Sequence, residues 1–323
     1  MLQSTLRHAM AAAFVALCAP IAAQAQNYPV RSVRIVVPTA PGGGSDTQAR
    51  LIGKRFTDSM GQSFVIDNRP GASGIIGTEL VVRSPPDGYN ILFATALLAT
   101  NTVLFKKVTF NPVRDLAAIS QISFAPQFLM VHPSVPARTV KDFVALAKKN
   151  PGKLNAGSSG SGSANHLAIE MLKQAAGISV THIPYRSGAP SIAALIGGET
   201  DFTFSGAVTA LPHVRSGKVR ALAVTSVKRS SAAPDLPTLD SLYPGFDSAN
   251  WYAMFVPAGT PPAIISKLHG ETINTLKAPE VRDFMTGEGA ELVGGSPAEL
   301  AAHLRSEIER YTKVIRSANI KVE

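Results

Sequence analysis

The sequence predicts an α/β protein with two lobes, joined by a hinge that the chain crosses twice. Short β-branched runs alternate with amphipathic helical patterns, which is typical of α/β folds. A strand, a glycine- or serine-rich loop and a helix follow one another once in each half of the chain. The length of 323 residues also favours two lobes over one.

The first half alternates strands and helices, which indicates a parallel sheet. The first strand ends at a proline before three glycines, and Ser45 and Asp46 are the predicted cap of the helix that follows. The predicted elements are strand Val33–Pro38, a helix containing Ala49 to Phe56, strand Phe64–Asp67, helix Gly74–Arg83 and strand Asn90–Ala94.

The second half repeats this alternation, and Ser163 is the predicted cap of its longest helix. The predicted elements are helix Thr139–Lys149, strand Lys153–Ala156, helix Ser163–Ala175, strand Val180–Ile183, helix Ala189–Ile196, strand Asp201–Phe204 and strand Val219–Thr225.

The tail is mainly helical and is assigned to the first lobe. A helix is predicted from Thr260 to Lys277, and a capping box at Ser296 opens the last helix. The chain then crosses between lobes near Ile119–Val131 and near Trp251–Val256. The expected division is residues 26–127 plus 250–323 for lobe 1 and 128–249 for lobe 2.

The amino terminus has the order of a secretory signal peptide. Arg7 precedes an uncharged run, and Ala23-Gln24-Ala25 is a small-x-small cleavage signal. We therefore expect export, with cleavage near Ala25. Cys18 leaves a lipoprotein as the alternative, which is disfavoured because Leu17 stands where a small residue is expected.

Removal of residues 1–25 leaves 30 basic and 22 acidic residues, a net charge of +8. This excess fits either an ordinary basic surface or attraction of an anionic ligand. Nucleic acid is disfavoured by the export signal and the absence of a basic run. Because Cys18 is the sole cysteine, we expect neither a disulfide nor a thiolate metal ligand in the mature chain.

Two loops in the first half are candidate ligand contacts. In Pro41–Gly44 the glycines let main-chain N–H groups approach a ligand at a helix N-terminus, although a plain tight turn is the alternative. Asp46 is expected to cap the helix or to anchor one lobe to the other. Asn68–Gly74 is the second loop, where Arg69 either pairs with a carboxylate or is solvated.

The serine-rich stretch Gly157–His166 is the main candidate in the second half. It lies between a strand and an amphipathic helix, which favours a ligand-cradling loop over a flexible linker. His166 is expected to pack within its helix. Tyr185 either projects into a cleft or covers the core.

The sequence contains little evidence of an enzyme active site. The serines do not match the Gly-x-Ser-x-Gly elbow, and the histidines form no His-x-x-x-His pair. We expect no metal and no cofactor. A Ser/His/Asp triad assembled from distant positions is the remaining, disfavoured alternative.

Taken together and in order, the motifs resemble the Bug-type substrate-binding proteins of tripartite tricarboxylate transporters. The resemblance runs from about Tyr28 to Ile320. It rests on VRIVVPTAPGGGSDTQAR, GQSFVIDNRPGASGIIGTELVVRSPPDGY, NAGSSGSGSANHLA, THIPYRSGAPSIAALIGGETDF, VRALAVTS, PDLPTLDSLYPGF and WYAMFVPAGTP.

The resemblance implies a type II periplasmic-binding-protein fold in the periplasm and a carboxylate ligand. It also implies a membrane permease as partner, with a sensor kinase as the alternative, and we expect a monomer. The implied ligand-binding residues are Pro41, Gly42, Gly43, Gly44, Gly71, Ala72, Ser73, Gly74, Thr95, Ala96, Ser158, Ser159, Gly160, Ser163, His166, Tyr185, Ser205 and Gly206.

One departure from the family pattern bears on the ligand. Many relatives carry an acidic residue where this chain has Ser205-Gly206. An acid could pair with an ammonium group, whereas these two residues cannot. We therefore expect a ligand without an amine, and an aromatic dicarboxylate such as terephthalate is one candidate.

Overall fold

The structure is a computed structural model that describes residues 28–105, 107–185, 188–287, 289–318 and 320. The signal peptide predicted at Met1–Ala25 lies outside these residues. No helix in this part of the chain is both long and apolar enough to cross a membrane.

Eleven strands are assigned among the described residues. They are β1 Val33–Val37, β2 Phe64–Asn68, β3 Asn90–Thr95, β4 Leu116–Ala125, β5 Gln127–Val131, β6 Asn155–Ser158, β7 Thr181–Pro184, β8 Phe202–Gly206, β9 Arg220–Val224, β10 Asn250–Pro257 and β11 Glu291–Leu292.

A short 3₁₀ turn lies at Ala72–Gly74, and the other helices of the described chain are α-helical. They are α1 Gly44–Met60, α2 Ile75–Val82, α3 Leu97–Leu104, α4 Pro112–Asp115, α5 Val140–Lys149, α6 Ala164–Ala176, α7 Gly188–Ile196, α8 Ala207–Arg215, α9 Pro262–Lys277, α10 Pro279–Gly287 and α11 Pro297–Ser317.

The strands form two sheets, one in each lobe. The first has the order β11-β4-β10-β3-β1-β2, and the second has the order β7-β6-β8-β5-β9. The two-lobed α/β class is confirmed, and the strands predicted to be parallel are parallel, since β1 pairs in parallel with β2 and β3 and β6 pairs in parallel with β7 and β8. Both sheets are nevertheless mixed. Strand β10 runs antiparallel to β3 and β4, and β5 runs antiparallel to β8 and β9, because strands that cross between lobes enter against the direction of the others.

The hinge joins three stretches of chain through hydrogen bonds. The first crossing falls at Pro126, between β4 and β5, and the second precedes β10. The Gln127 N–H donates to Thr225 Oγ1 at 2.8 Å, and the Thr225 hydroxyl donates to the Ser248 carbonyl at 2.8 Å. These bonds hold the crossings side by side, while the residue bounds of the lobes stay a prediction.

The last helix, α11, ties the hinge to the core. Its capping box is confirmed, since the Glu299 N–H donates to Ser296 Oγ at 3.2 Å and the Ser296 N–H donates to Glu299 Oε2 at 2.7 Å. On its buried face Glu307 accepts from the Trp251 indole N–H at 3.0 Å and pairs with Arg310 at 2.6 Å. The hinge strand β10 and α11 are therefore joined by a buried hydrogen bond to Glu307, whose charge is paired within α11.

Four of the described α-helices were not predicted, and the shortest of them is α4, a single turn capped by Asn111. Helix α3 is buried over much of its surface and lacks the polar face that gives an amphipathic period. Helix α8 carries Pro212 in its interior, which argues against a helix in sequence. Helix α10 is separated from α9 by Ala278 alone, and Pro279 at its first position is the sequence signal that marks the break.

Candidate functional site

A cleft of about 700 Å³ separates the two lobes. A smaller extension of about 340 Å³ shares several of its walls and reaches the hinge. The lobe 1 residues of the cleft are Thr39 to Ser45, Thr95 to Leu97 and Thr100, and the lobe 2 residues include Ser159, Gly162 to Asn165, Leu167, Gly188, Ala189 and Thr209.

Five of the described helices begin at this cleft or its extension. The first residues of α1, α3, α6, α7 and α8 all line it. The first N–H groups of a helix lack intrahelical partners, and the aligned peptide dipoles place roughly half a positive charge at each N-terminus. The cleft therefore has a positive potential that arises from backbone.

Formal charge is absent from the walls that the structure describes. Among the described residues lining the cleft and its extension, no side chain is Asp, Glu, Lys, Arg or His. Hydroxyl and amide groups provide the side-chain polarity. Such a site is suited to an anion held by N–H and O–H donors.

The first glycine loop is held in place by Asp46. Its carboxylate is buried and accepts from the Gly42 N–H at 2.9 Å, from Arg50 Nε at 3.0 Å and from Asn68 Nδ2 at 3.0 Å. The prediction that Ser45 and Asp46 cap α1 was wrong, because the N-cap is Gly43. Asp46 instead fixes the loop that precedes the helix.

Substitution of Asp46 with Ala is expected to lower the free energy of unfolding by about 3 kcal/mol, because three donors lose a buried charged acceptor. Burial opposes ionisation of Asp46, but hydrogen bonds from Arg50, Gly42 and Asn68 outweigh it and lower the pKa of this carboxyl. Its stabilising effect is therefore present at neutral pH and is lost as the pH falls below the ordinary carboxyl range.

Urea denaturation measures this loss, and Arg50→Gln is the matched control. The Arg50 side chain is 54% exposed and supplies only one set of these bonds. Its replacement should cost less than about 1 kcal/mol. Equal stability of Asp46→Ala and Arg50→Gln would show that Asp46 does not hold the loop.

The predicted contact loop Gly71–Gly74 lies beside the cleft, outside the described walls. All four residues have positive φ, including the non-glycine residues Ala72 at 44° and Ser73 at 54°. Asn101 Nδ2 donates to the Ser73 carbonyl at 2.9 Å and so links this strained turn to α3, whose N-terminus lines the cleft. Direct ligand contact by this loop stays a prediction.

The serine-rich loop of lobe 2 divides into wall residues and support residues. Ser159 and Ser163 line the cleft, and the Ser163 cap of α6 is confirmed by the His166 N–H donating to Ser163 Oγ at 3.3 Å. Ser158 is fully buried behind the wall, and the Gly160 carbonyl accepts from the Ser163 hydroxyl at 2.7 Å. These two residues shape the loop from behind.

His166 and Tyr185 also lie away from the described walls. His166 is buried and its ring stacks on His182 with centroids 3.8 Å apart. The Tyr185 hydroxyl lies 3.5 Å from Glu199 Oε2, and burial together with that carboxylate raises the pKa of Tyr185. The buried, stacked position of His166 agrees with the prediction that this histidine has a packing role.

The remaining predicted residues lie at the walls. Pro41–Gly44 and Thr95-Ala96 line the cleft from lobe 1, and Ser205-Gly206 line its extension at the N-terminus of α8. Their contact with a ligand stays a prediction.

Several wall residues were not among the individual predicted ligand contacts, although Asn165 lies in the predicted loop Gly157–His166. Asn165 accepts from the Ser159 hydroxyl at 2.5 Å and donates to the Phe204 carbonyl, so it joins α6 to β8. Asn250 Nδ2 donates to the Tyr252 hydroxyl at 3.0 Å on the hinge strand. Asn250 and Tyr252 alternate with buried Trp251. This alternation is a signal that could have indicated a strand with one face toward the cleft.

Comparison with known proteins agrees with this architecture. The family model described as "Tripartite tricarboxylate transporter family receptor" matches residues 48–320. The chain is similar to R. palustris Rpa4515 with adipate, at 35% identity and a TM-score of 0.80 over 91% of this chain and 99% of that one.

Two further solved structures are similar. The periplasmic binding protein BugD shares 33% identity with a TM-score of 0.77, over 92% of this chain and 100% of that one. MatC from Rhodopseudomonas palustris with bound malate shares 30% identity with a TM-score of 0.76, over 89% of this chain and 100% of that one. These matches confirm the resemblance and the fold.

Receptors of this family are periplasmic substrate-binding proteins and not enzymes. The family match covers most of the chain, and the two lobes and the cleft between them agree with it. The chain therefore belongs to the tripartite tricarboxylate transporter receptor family.

Proposed function

We propose that this protein captures a small organic anion that carries at least two carboxylates and no amine, and delivers it to a tripartite tricarboxylate transporter. The observation that carries this proposal is the convergence of five helix N-termini on a cleft whose described walls lack formal charge. Each N-terminus favours an anion by about 0.3–1 kcal/mol or more where water is excluded.

The same walls favour a ligand that carries no amine. A buried ammonium group needs an acidic partner or several acceptors to offset its desolvation. The described walls present no carboxylate, and at the family's acidic position they have Ser205 and Gly206. Aspartate or glutamate would therefore lose solvation of the amine without a compensating ion pair.

The size of the cleft favours a dicarboxylate that spans both lobes. The two similar structures from Rhodopseudomonas palustris hold adipate and malate, and both compounds are dicarboxylates. Helices α1 and α3 supply N-termini from one lobe, and α6, α7 and α8 supply them from the other. A ligand with one carboxylate at each lobe gains all these contacts only when the lobes close, so it shifts the population toward the closed form.

Matched pairs of ligands test the proposal. Succinate and aspartate share one carbon skeleton, as do glutarate and glutamate, and differ only by the amine. Adipate, malate, citrate and terephthalate extend the series. We expect the dicarboxylates to raise the melting temperature, since a ligand at 100 times its Kd stabilises by about 2.7 kcal/mol.

Calorimetric titration should then show succinate or glutarate binding at least about tenfold more tightly than the corresponding amino acid. Tighter binding of aspartate or glutamate would overturn the assignment. Terephthalate is the arm that separates an aromatic ligand from an aliphatic one.

We also propose that the protein is exported to the periplasm and works with the permease subunits of the transporter. Mass spectrometry of the periplasmic protein should find a mature chain that begins at Gln26 or Asn27. Uptake of the labelled ligand should depend on both this protein and the permease subunits. Uptake that persists without the permease would contradict this partnership.

A further inference from the structure

Two histidines lie stacked behind the lobe 2 wall of the cleft. His166, on α6, and His182, on β7, have ring centroids 3.8 Å apart and planes inclined by 6°. Neither ring is among the described residues that line the cleft. The pair is therefore a support for the wall and not part of its surface.

The pair contacts the loop Ser158–Gly162 at both ends. The Gly162 N–H donates to His166 Nδ1 at 3.0 Å, so that nitrogen must carry a lone pair. At the other end, His182 Nε2 lies 2.6 Å from Ser158 Oγ, which also accepts from the Gly160 N–H at 3.1 Å. Gly162 and its neighbour Ser163 line the cleft, so these bonds orient backbone that faces a ligand.

The charged groups around the pair lie on α6. Glu170 Oε1 is 3.7 Å from His166 Nε2 and 2.7 Å from Lys173 Nζ. Burial opposes ionisation of Glu170, but hydrogen bonds to His166 and Lys173 lower the pKa of this carboxyl. Burial, with smaller contributions from His166 and Lys173, lowers the pKa of His182 to about 4, although Glu170 acts in the opposite direction.

Protonation of His166 is incompatible with this arrangement. A proton on Nδ1 would face the Gly162 N–H across 3.0 Å, so two donors would meet and the bond would break. The new cation would also stack on His182, close to Lys173. Glu170 lies on the Nε2 side and does not relieve the clash at Nδ1.

We propose that His166 and His182 are positioning residues for ligand capture, which hold Ser158–Gly162 in place through the His166 Nδ1 acceptor and the contact between His182 and Ser158. Ligand affinity should then fall when the acceptor at His166 is removed. The proposal rests on the proposed function of the cleft as an anion site.

Hydrogen exchange of the loop amides tests the positioning directly and needs no ligand. The variant His166→Asn keeps an acceptor near the position of Nδ1, whereas His166→Leu removes the acceptor. After correction for intrinsic rates, protection at Gly162 at pH 7 should be lower by about tenfold or more in His166→Leu than in the native protein.

The Asn variant should retain most of this protection, which is the rescue that a role in packing alone would not give. Equal protection at Gly162 in the native protein and in His166→Leu would overturn the proposal. So would a Gly162 amide that is unprotected in the native protein at pH 7.

Affinity supplies the second readout, with adipate as the probe. Because the loop orients backbone that faces the ligand, loss of the acceptor should weaken binding. We expect the Kd for adipate at pH 7 to be about tenfold larger for His166→Leu than for the native protein, and close to the native value for His166→Asn. If adipate binds none of these proteins at pH 7, the proposed adipate-type ligand is wrong, while hydrogen exchange still decides the role of the pair.

Stability gives an independent check on His182. Its pKa of about 4 lies below the ordinary 6.5, so between these values the unfolded chain binds more protons than the folded one. Stability should therefore fall as the pH drops through this window. A His182→Gln variant, which can still reach Ser158, should show a flatter profile, and an unchanged profile would contradict the buried neutral ring.

Discussion

Substitution of Gly206 with Asp is expected to abolish capture of a dicarboxylate, with a loss of affinity above about 100-fold. Gly206 is the N-cap of α8 and lines the cleft extension. A Cβ at this position would meet no atom within 4 Å, and the backbone has the ordinary extended conformation with φ of −64°. The side chain can therefore be added without strain.

The expected loss is electrostatic. Aspartate is a favourable N-cap, so it would occupy the N–H groups that the ligand needs and would neutralise the potential of α8. Two negative charges about 5 Å apart, at an effective dielectric constant of about 20, repel each other by about 3 kcal/mol. Both effects act against a carboxylate.

Gly206→Asn is the matched control, since it has the same size and no charge. Calorimetry with adipate should show a much smaller loss for Asn than for Asp, and circular dichroism should show both variants folded. In the Asp variant, binding of aspartate relative to succinate should increase, because the new carboxylate can pair with an amine. Equal losses for Asp and Asn would show that the cleft does not act through its potential.

Replacement of Arg310 with Met is expected to lower the free energy of unfolding by about 3–5 kcal/mol, the cost of leaving a buried charge without its partner. The carboxylate concerned is that of Glu307, which is 3% exposed beneath the hinge. Arg310 Nη2 lies 2.6 Å from Glu307 Oε1, and Nη1 also donates to the Asp247 carbonyl next to the second crossing.

The pH dependence distinguishes this cause from a simple loss of packing. Burial raises the pKa of Glu307, and Arg310 and the Trp251 N–H act against that rise. Without Arg310 the pKa should rise further, so the folded protein would retain a proton that the unfolded chain releases. The destabilisation should then be largest at pH 7.5 and should shrink as the pH falls toward 5.

Urea denaturation at both pH values measures the effect. The double variant Arg310→Met with Glu307→Gln should recover most of the stability at pH 7.5, because no unpaired charge remains buried. A loss that is equal at both pH values, or that persists in the double variant, would contradict the role of the ion pair.

Features that depend on neighbouring residues could be predicted from the sequence. The serine cap at Ser163 and the capping box at Ser296 were predicted correctly, because both bonds close within three residues. The strand and glycine loop before α1 were likewise predicted, and the ordered motifs identified the family. Each of these signals is local in the chain, and the motifs gain specificity only from their order.

Other features required the tertiary structure, because they join segments that are distant in the chain. Helix α3 lacks an amphipathic sequence signal and α8 carries a proline in its interior, yet the first residues of both line the cleft or its extension. Asp46 was expected as a cap and instead accepts from a loop on one side and from Asn68 on the other.

Thus the sequence by itself determined the two-lobed α/β class, the family and the principal loops, whereas the tertiary structure decided which groups face the cleft. The physical reason is that the proposed ligand contacts are backbone N–H groups, which every residue except proline possesses. The identity of a residue does not show whether its backbone N–H group points into the cleft. Only the packing of α1, α3, α6, α7 and α8 around one space determines that.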